Sequence, residues 1–122
     1  MKLFSTISLI LLSAIFFAGC ATQKQMYSWG DYSSSLYKLK KDPCEENLMK
    51  HKQVLLKIIE DSKENSLRVP PGVYCEYGYI LMKEGKSDEA LSYLDLEEKT
   101  YPESAVFIKR LKSQFAKTKE LP

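Results

Sequence analysis

Apolar positions along the chain follow two regimes. From Leu3 to Phe17 they run almost without a break, with Ile7, Leu9, Ile10, Leu11, Leu12, Ile15 and Phe16 separated only by small or hydroxyl residues. Further on they recur at helical spacing: Tyr32, Leu36 and Leu39, then Leu48, Leu55 and Ile59, and finally Ala105, Ile108, Leu111 and Phe115. No stretch alternates with period two for long enough to compete. The spacing therefore predicts an all-α chain of antiparallel helical hairpins, with about five helices after the leader. Asp42, Pro43 and Glu45 stand where an N-cap, a first-turn proline and a capping-box carboxylate would start the second helix. That helix is expected to run to about Glu64. Val69-Pro70-Pro71-Gly72 then demands an extended link, because proline disfavours helix at the preceding residue and removes an amide donor. The tail from Lys119 to Pro122 is expected to fray.

The leader changes the reading of the whole. Met1-Lys2 supplies a short positive region before the apolar run, which is shorter than the roughly 20 residues a membrane span needs and lacks a basic stop-transfer cluster. It reads as a cleaved secretory leader. It ends in Phe17-Ala18-Gly19-Cys20, which resembles the lipobox of bacterial lipoprotein signal peptides, with Phe17 in place of the usual leucine. The resemblance implies cleavage between Gly19 and Cys20 and a covalent diacylglyceryl and N-acyl (palmitate-type) lipid on Cys20, the one prosthetic group expected. Residues 1–19 would be leader, 20–26 a lipidated tether and 27–122 a helical domain. By the sorting rule of such lipoproteins, Ala21 after the cysteine implies the outer membrane, with the domain facing the periplasm.

Between Tyr74 and Pro102, Gly78, Ala90, Leu94 and Pro102 fall at the offsets of the tetratricopeptide repeat, and the stretch from Gly85 to Leu91 resembles its inter-helix turn. The offsets make physical sense. Gly78 and Ala90 are small where two helices would approach, Gly85 can take a positive φ, and Ser87 or Asp88 could cap the next helix. Glu97 departs from the repeat, which wants a small residue there, and Leu81 replaces its usual aromatic. Counting back one repeat length of about 34 residues reaches Cys44, Leu56 and Arg68, which do not reproduce the signature. The upstream pair is at best a divergent copy. The helix after Pro102 is expected to cap the hairpin with Ala105, Ile108, Leu111 and Phe115, leaving Lys109, Arg110, Lys112 and Lys117 in water.

Charge narrows the function classes. The chain has 18 Lys+Arg and 16 Asp+Glu. Loss of Lys2 with the leader leaves the mature part near neutral, without the basic cluster that nucleic-acid binding needs. The single histidine, His51, falls near the apolar stripe of the second helix and has no metal-ligand spacing with any Cys, His or acidic pair, so a packed position at the core margin is expected. Glu60-Asp61 and Glu97-Glu98 are adjacent pairs that diverge on a helix and form no shared-proton dyad. With no phosphate-binding glycine loop or nucleophile elbow, neither enzymatic activity nor a metal or small-molecule substrate is expected. Cys44 and Cys75 would lie about 30 Å apart across a helix from 43 to 64, too far for a disulfide; an intermolecular bridge stays open.

Taken together, the lipobox, Tyr27-Ser28-Trp29-Gly30-Asp31-Tyr32, Val69-Pro70-Pro71-Gly72, Glu76-Tyr77-Gly78-Tyr79 and Tyr101-Pro102-Glu103-Ser104-Ala105 resemble a family of small bacterial lipoproteins whose domain has no assigned function. Members tend to be encoded beside a lipoprotein similar to the curli secretion channel, which implies an envelope lipoprotein partner. The expected function is a non-enzymatic, outer-membrane-anchored adaptor. The alternatives are an accessory or chaperone-like subunit for assembly of such a channel and, more remotely, a small hydrolase or wall-binding protein. Two sets of partner-binding candidates follow. Trp29 and Tyr32 belong to an aromatic group with Tyr27 and Tyr37 that either staples the first helix to the bundle or forms a contact patch. Cys75, Tyr79, Met82 and Lys83 correspond to the groove-lining positions of tetratricopeptide proteins.

Overall fold

The computed structural model describes residues 25–119. The leader, Cys20 and most of the tether lie outside the described residues, as do the last three residues of the tail. Five α-helices follow one another: α1 (Tyr32–Lys41), α2 (Glu45–Glu64), α3 (Val73–Lys83), α4 (Ser87–Thr100) and α5 (Ala105–Lys119), with a 3-10 turn at Pro102–Ser104 before α5. There is no strand among the described residues. The all-helical class read from the spacing is the class the chain adopts. None of these helices is long and apolar enough to cross a membrane.

Each helix packs on its neighbours in sequence, and the α3–α4 contact is the most extensive. The reason lies at Gly78. A Cβ built there would stand 3.0 Å from the Ala90 carbonyl oxygen, 3.3 Å from Tyr93 Cβ and 3.4 Å from a Leu94 methyl. Glycine lets the α4 backbone come this near without forcing its neighbours to shift. Gly85, at φ +81°, turns the chain between the two helices. Its N–H donates to the Met82 carbonyl (3.1 Å) and the Lys86 N–H to the Leu81 carbonyl (3.0 Å), which together satisfy the last turn of α3. The main core gathers Leu55 and Ile58 of α2, Val69 of the link, Val73, Tyr77, Ile80 and Leu81 of α3, and Ala90 of α4. A second cluster of Leu94, Ile108 and Leu111 fastens α5, with Cys75, Met82 and Phe115 packed on it.

Four local expectations are corrected. The start of α2 is Glu45 with Cys44 as N-cap, and no side chain caps it. Asp42 instead terminates α1, its carbonyl accepting from Cys44 N–H (2.9 Å) and from Asn47 Nδ2 (2.8 Å). Neither Ser87 nor Asp88 caps α4, whose N-cap is Lys86 with no side-chain bond. The buried stripe of α2 is His51, Leu55, Ile58 and Ser62, so Leu48 turns outward at 37% exposure. That stripe faces both α1 and α3 and includes polar residues that hydropathy alone passes over. Lys112 is not free in water but pairs with Asp95 and, at 3.5 Å, with Glu98 of α4. The end of α2 at Glu64 is as expected. It repeats the bonding at the end of α3, but with Ser66 at φ +53° in the place glycine usually takes.

Gly78→Val forces branched carbon atoms into this contact. It is expected to lower unfolding free energy by about 2–3 kcal/mol despite the better helix propensity of valine, read as a shifted urea midpoint at constant slope.

Candidate functional site

The link before α3 needs glycine at position 72, because φ there is +88°. Glycine is the N-cap of α3 and brings no side chain to cap with. The cap comes from α4. Glu97, only 3% exposed, accepts from Gly72 N–H at 2.8 Å through Oε1 and more weakly from Cys75 N–H at 3.4 Å through Oε2. A carboxylate buried alone would cost several kcal/mol; the helix N-terminus offers both donors and a favourable dipole. The departure of Glu97 from the tetratricopeptide pattern is thereby explained. Beside it the Cys75 thiol is pushed up to about 11, first by burial and then by the charges of Glu97 and Glu76, so it is held protonated. Cys44 and Cys75 are both free and half-buried.

A second polar group joins α1, α2 and α3. His51 is fully buried, with Nδ1 2.8 Å from the Ser35 hydroxyl and Nε2 3.0 Å from Glu76 Oε1. The Tyr32 hydroxyl donates to the other Glu76 oxygen at 2.8 Å. Because a carboxylate only accepts, Nε2 carries the hydrogen of that bond. The Ser35 hydroxyl is also 3.0 Å from the Tyr32 carbonyl, one turn back in α1. Hydroxyl, imidazole and carboxylate in series are the residue types of an acyl-transfer relay. Ser35 reaches the edge of a polar depression of about 350 Å³ with Lys38, Asn47 and Lys50. Its bond to His51 is nevertheless buried and His51 is sealed, so the series ties three helices together. Ser35 is the buried residue of α1. This helix is held by hydrogen bonds, each contributing about 1 kcal/mol net, as much as by its half-buried Leu36 and Leu39.

A larger concave surface lies at the other end of α3. A groove of about 750 Å³ runs between the end of α3, the start of α4 and the second half of α5, lined chiefly by Met82, Lys83, Leu91, Lys112, Phe115 and Ala116. Tyr79, 41% exposed, meets the Phe115 ring edge-on at 5.7 Å beside it, and the Lys83 ammonium lies over the Tyr79 ring at 5.5 Å. Of the groove candidates, Tyr79, Met82 and Lys83 are thus brought together. Cys75 is not, because it packs under α5 against Leu94, Ile108 and Leu111. The aromatic pair is separate from the groove. Trp29 packs edge-on against Tyr32 (5.2 Å) with 41% of its surface open, while the Tyr32 hydroxyl is committed to Glu76. Tyr32 therefore staples α1, and Trp29 keeps a free face. Periodicity missed Leu91, Phe115 and Ala116 as groove residues; only the docking of α5 beside the hairpin puts them there. No group of three or more potential metal ligands occurs among the described residues.

Residues 26–111 match the model of a family described as a domain of unknown function, DUF4810. The chain belongs to that family. The match takes in α1 to α4 and the first half of α5, hence the Glu97 cap, the Ser35–His51–Glu76 tie and all the aromatic candidates. It stops before Lys112, Phe115 and Ala116, which form the far wall of the groove. No curated protein and no solved structure matches the chain.

Two predictions follow from the buried polar groups. Glu97→Ala leaves the Gly72 and Cys75 N–H groups unpaired and is expected to cost about 2–3 kcal/mol, with faster hydrogen exchange at Gly72. Glu97→Gln, which keeps an acceptor oxygen, should cost less than half of that. The Tyr32 hydroxyl is pushed up to about 12 by burial and by its bond to Glu76. A phenol whose folded pKa lies above its unfolded value near 10 contributes stability that is complete below pH 10 and disappears as pH rises toward 12. Tyr32→Phe should accordingly flatten the loss of stability between pH 10 and 12, measured by denaturant titration at each pH.

Proposed function

We propose that this protein is a lipid-anchored adaptor of the bacterial envelope, held at the outer membrane through Cys20, that docks a protein partner in the groove between α3, α4 and α5. The observation that carries the reading is the groove itself. It is apolar at Met82, Leu91, Phe115 and Ala116, is flanked by exposed Tyr79, and has the size to accept two or three side chains of another chain. Its occupant is an apolar segment of an envelope protein, which fits the resemblance to lipoproteins found beside a secretion-channel-like lipoprotein.

Position supports the reading as well. The Tyr27 hydroxyl, near the start of the described chain, lies close enough to that of Tyr101 to influence it, which puts the N-terminal segment at the C-terminal end of α4. The groove opens at the N-terminal end of α4, about 20 Å away for a helix of this length. A domain tethered at the first end offers the second to partners in the periplasm. The α3–α4 hairpin is tetratricopeptide-like in its Gly78–Ala90 contact and its Gly85 turn, and such hairpins serve recognition. Dispersed, weakly polar contact surface of this kind supports binding rather than chemistry.

A photo-crosslinking residue placed at Leu91 in the full-length protein in growing cells is expected to give one discrete adduct with an envelope protein. The same residue at exposed Lys57 of α2 should give none. The adduct should disappear with Tyr79→Asp, and Cys20→Ser should release the protein or leave it uncleaved, with changed gel mobility. Uniform labelling at both positions would defeat the docking reading, and unchanged fractionation of Cys20→Ser would defeat the anchor.

A further inference from the structure

The mature chain is near neutral, yet its charges are not evenly spread. Helix α5 carries Lys109, Arg110, Lys112, Lys117 and Lys119 and no acidic residue. Three of its faces have different duties. Ile108, Leu111 and Phe115 pack on the hairpin, and Lys112 and Ala116 turn to the groove, where Lys112 is neutralised by Asp95 and Glu98. The remaining face bears Val106, Lys109, Arg110 and Lys117, with Phe107 on its flank. Val106 is 66% exposed and Phe107 60%, among the most open large apolar side chains of the domain. Lys109, Arg110 and Lys117 have no carboxylate partner among the described residues.

Exposed apolar side chains beside unpaired cations on one helix face are the composition that settles into the headgroup region of a bilayer. They would equally suit an acidic protein. The position of the face decides between the two. Val106 and Phe107 are in the first turn of α5, five and six residues after Tyr101, and Tyr101 is where the N-terminal segment meets the domain through Tyr27. The first described residue, Gln25, is five residues from Cys20, a reach of no more than about 18 Å when fully extended. An anchor at Cys20 thus keeps this end of the domain within one short tether of the lipid headgroups.

We propose that the outer face of α5 is a membrane-contact surface: Val106 and Phe107 enter the headgroup layer while Lys109, Arg110 and Lys117 lie against phosphate groups. The proposal rests on the lipid anchor of the preceding reading. It adds a second, non-covalent contact that fixes the orientation of the domain, with the groove directed away from the lipid.

The test uses the full lipidated protein in vesicles of phosphatidylethanolamine and phosphatidylglycerol, with Trp29→Phe to silence the native indole and Phe107→Trp to report on the face. Flotation with the vesicles checks the anchor first; a protein that does not float overturns the anchor and this proposal together. In the floating protein, the indole at 107 is expected to show blue-shifted emission and about twofold quenching by lipids brominated near the headgroup. High salt, or Lys109→Glu with Arg110→Glu, should reverse most of it. Emission typical of a water-exposed indole and no quenching in protein that floats would overturn the membrane face while leaving the anchor intact. The exposure of Phe107 makes Phe107→Trp compatible with folding, which a circular dichroism spectrum checks.

Discussion

Everything in this small domain is hung on the absence of one carbon atom, the Cβ of residue 78. It lets α3 lie against the backbone of α4 at a distance where a Cβ would make contacts tighter than nine in ten of those real Cβ atoms make. With α3 so placed, its opposite side meets Leu55 and Ile58 of α2, and its remaining side receives α5 through Cys75 and Met82. A helix of 11 residues is too short to be stable in isolation. It persists because it has neighbours on three sides, and it has them because one of these contacts is extremely close.

The ends of α3 show how a short helix is kept from fraying. At its C-terminus the local chain suffices, since Gly85 folds the backbone into its own cap. At its N-terminus the local chain fails: the turn requires glycine at 72, and glycine has nothing to cap with. The missing acceptor arrives from Glu97, 25 residues on in sequence, in a place where the helix hairpin pattern asks for something small. Tyr101 performs a related service for the same link, its hydroxyl donating to the Val69 carbonyl at 2.6 Å while Arg68 covers its ring. The connection between α2 and α3 is thus held by the last turn of α4 rather than by either helix it joins.

Much of this architecture was legible from spacing. The all-helical class, the end of α2, the link at 69–72 and the Gly78–Ala90–Gly85 hairpin follow from period, proline and glycine. What escaped was governed by contacts between residues far apart. Hydropathy put Leu48 in the core and left His51 at its margin, whereas partners on α1 and α3 make His51 wholly internal and leave Leu48 outside. The capping signals at Asp42 and at Ser87 were correct residue types used otherwise, because backbone bonds and crossing chains had already settled those ends. The groove was half visible: Tyr79, Met82 and Lys83 came from the hairpin pattern. Leu91, Phe115 and Ala116 had no signal of their own, since a groove between three helices belongs to none of them.

The buried hydroxyl of Ser35 has one hydrogen and two acceptors within reach, the imidazole nitrogen on one side and the carbonyl of its own helix on the other. With Nε2 carrying its hydrogen toward Glu76, Nδ1 is left as an acceptor, and the Ser35 hydrogen can point to it or to the Tyr32 carbonyl. Glu76 accepts from Nε2 in either case. The choice is made by rotation about a single C–O bond, with no heavy atom displaced. The first helix therefore stays seated whichever acceptor the hydroxyl serves.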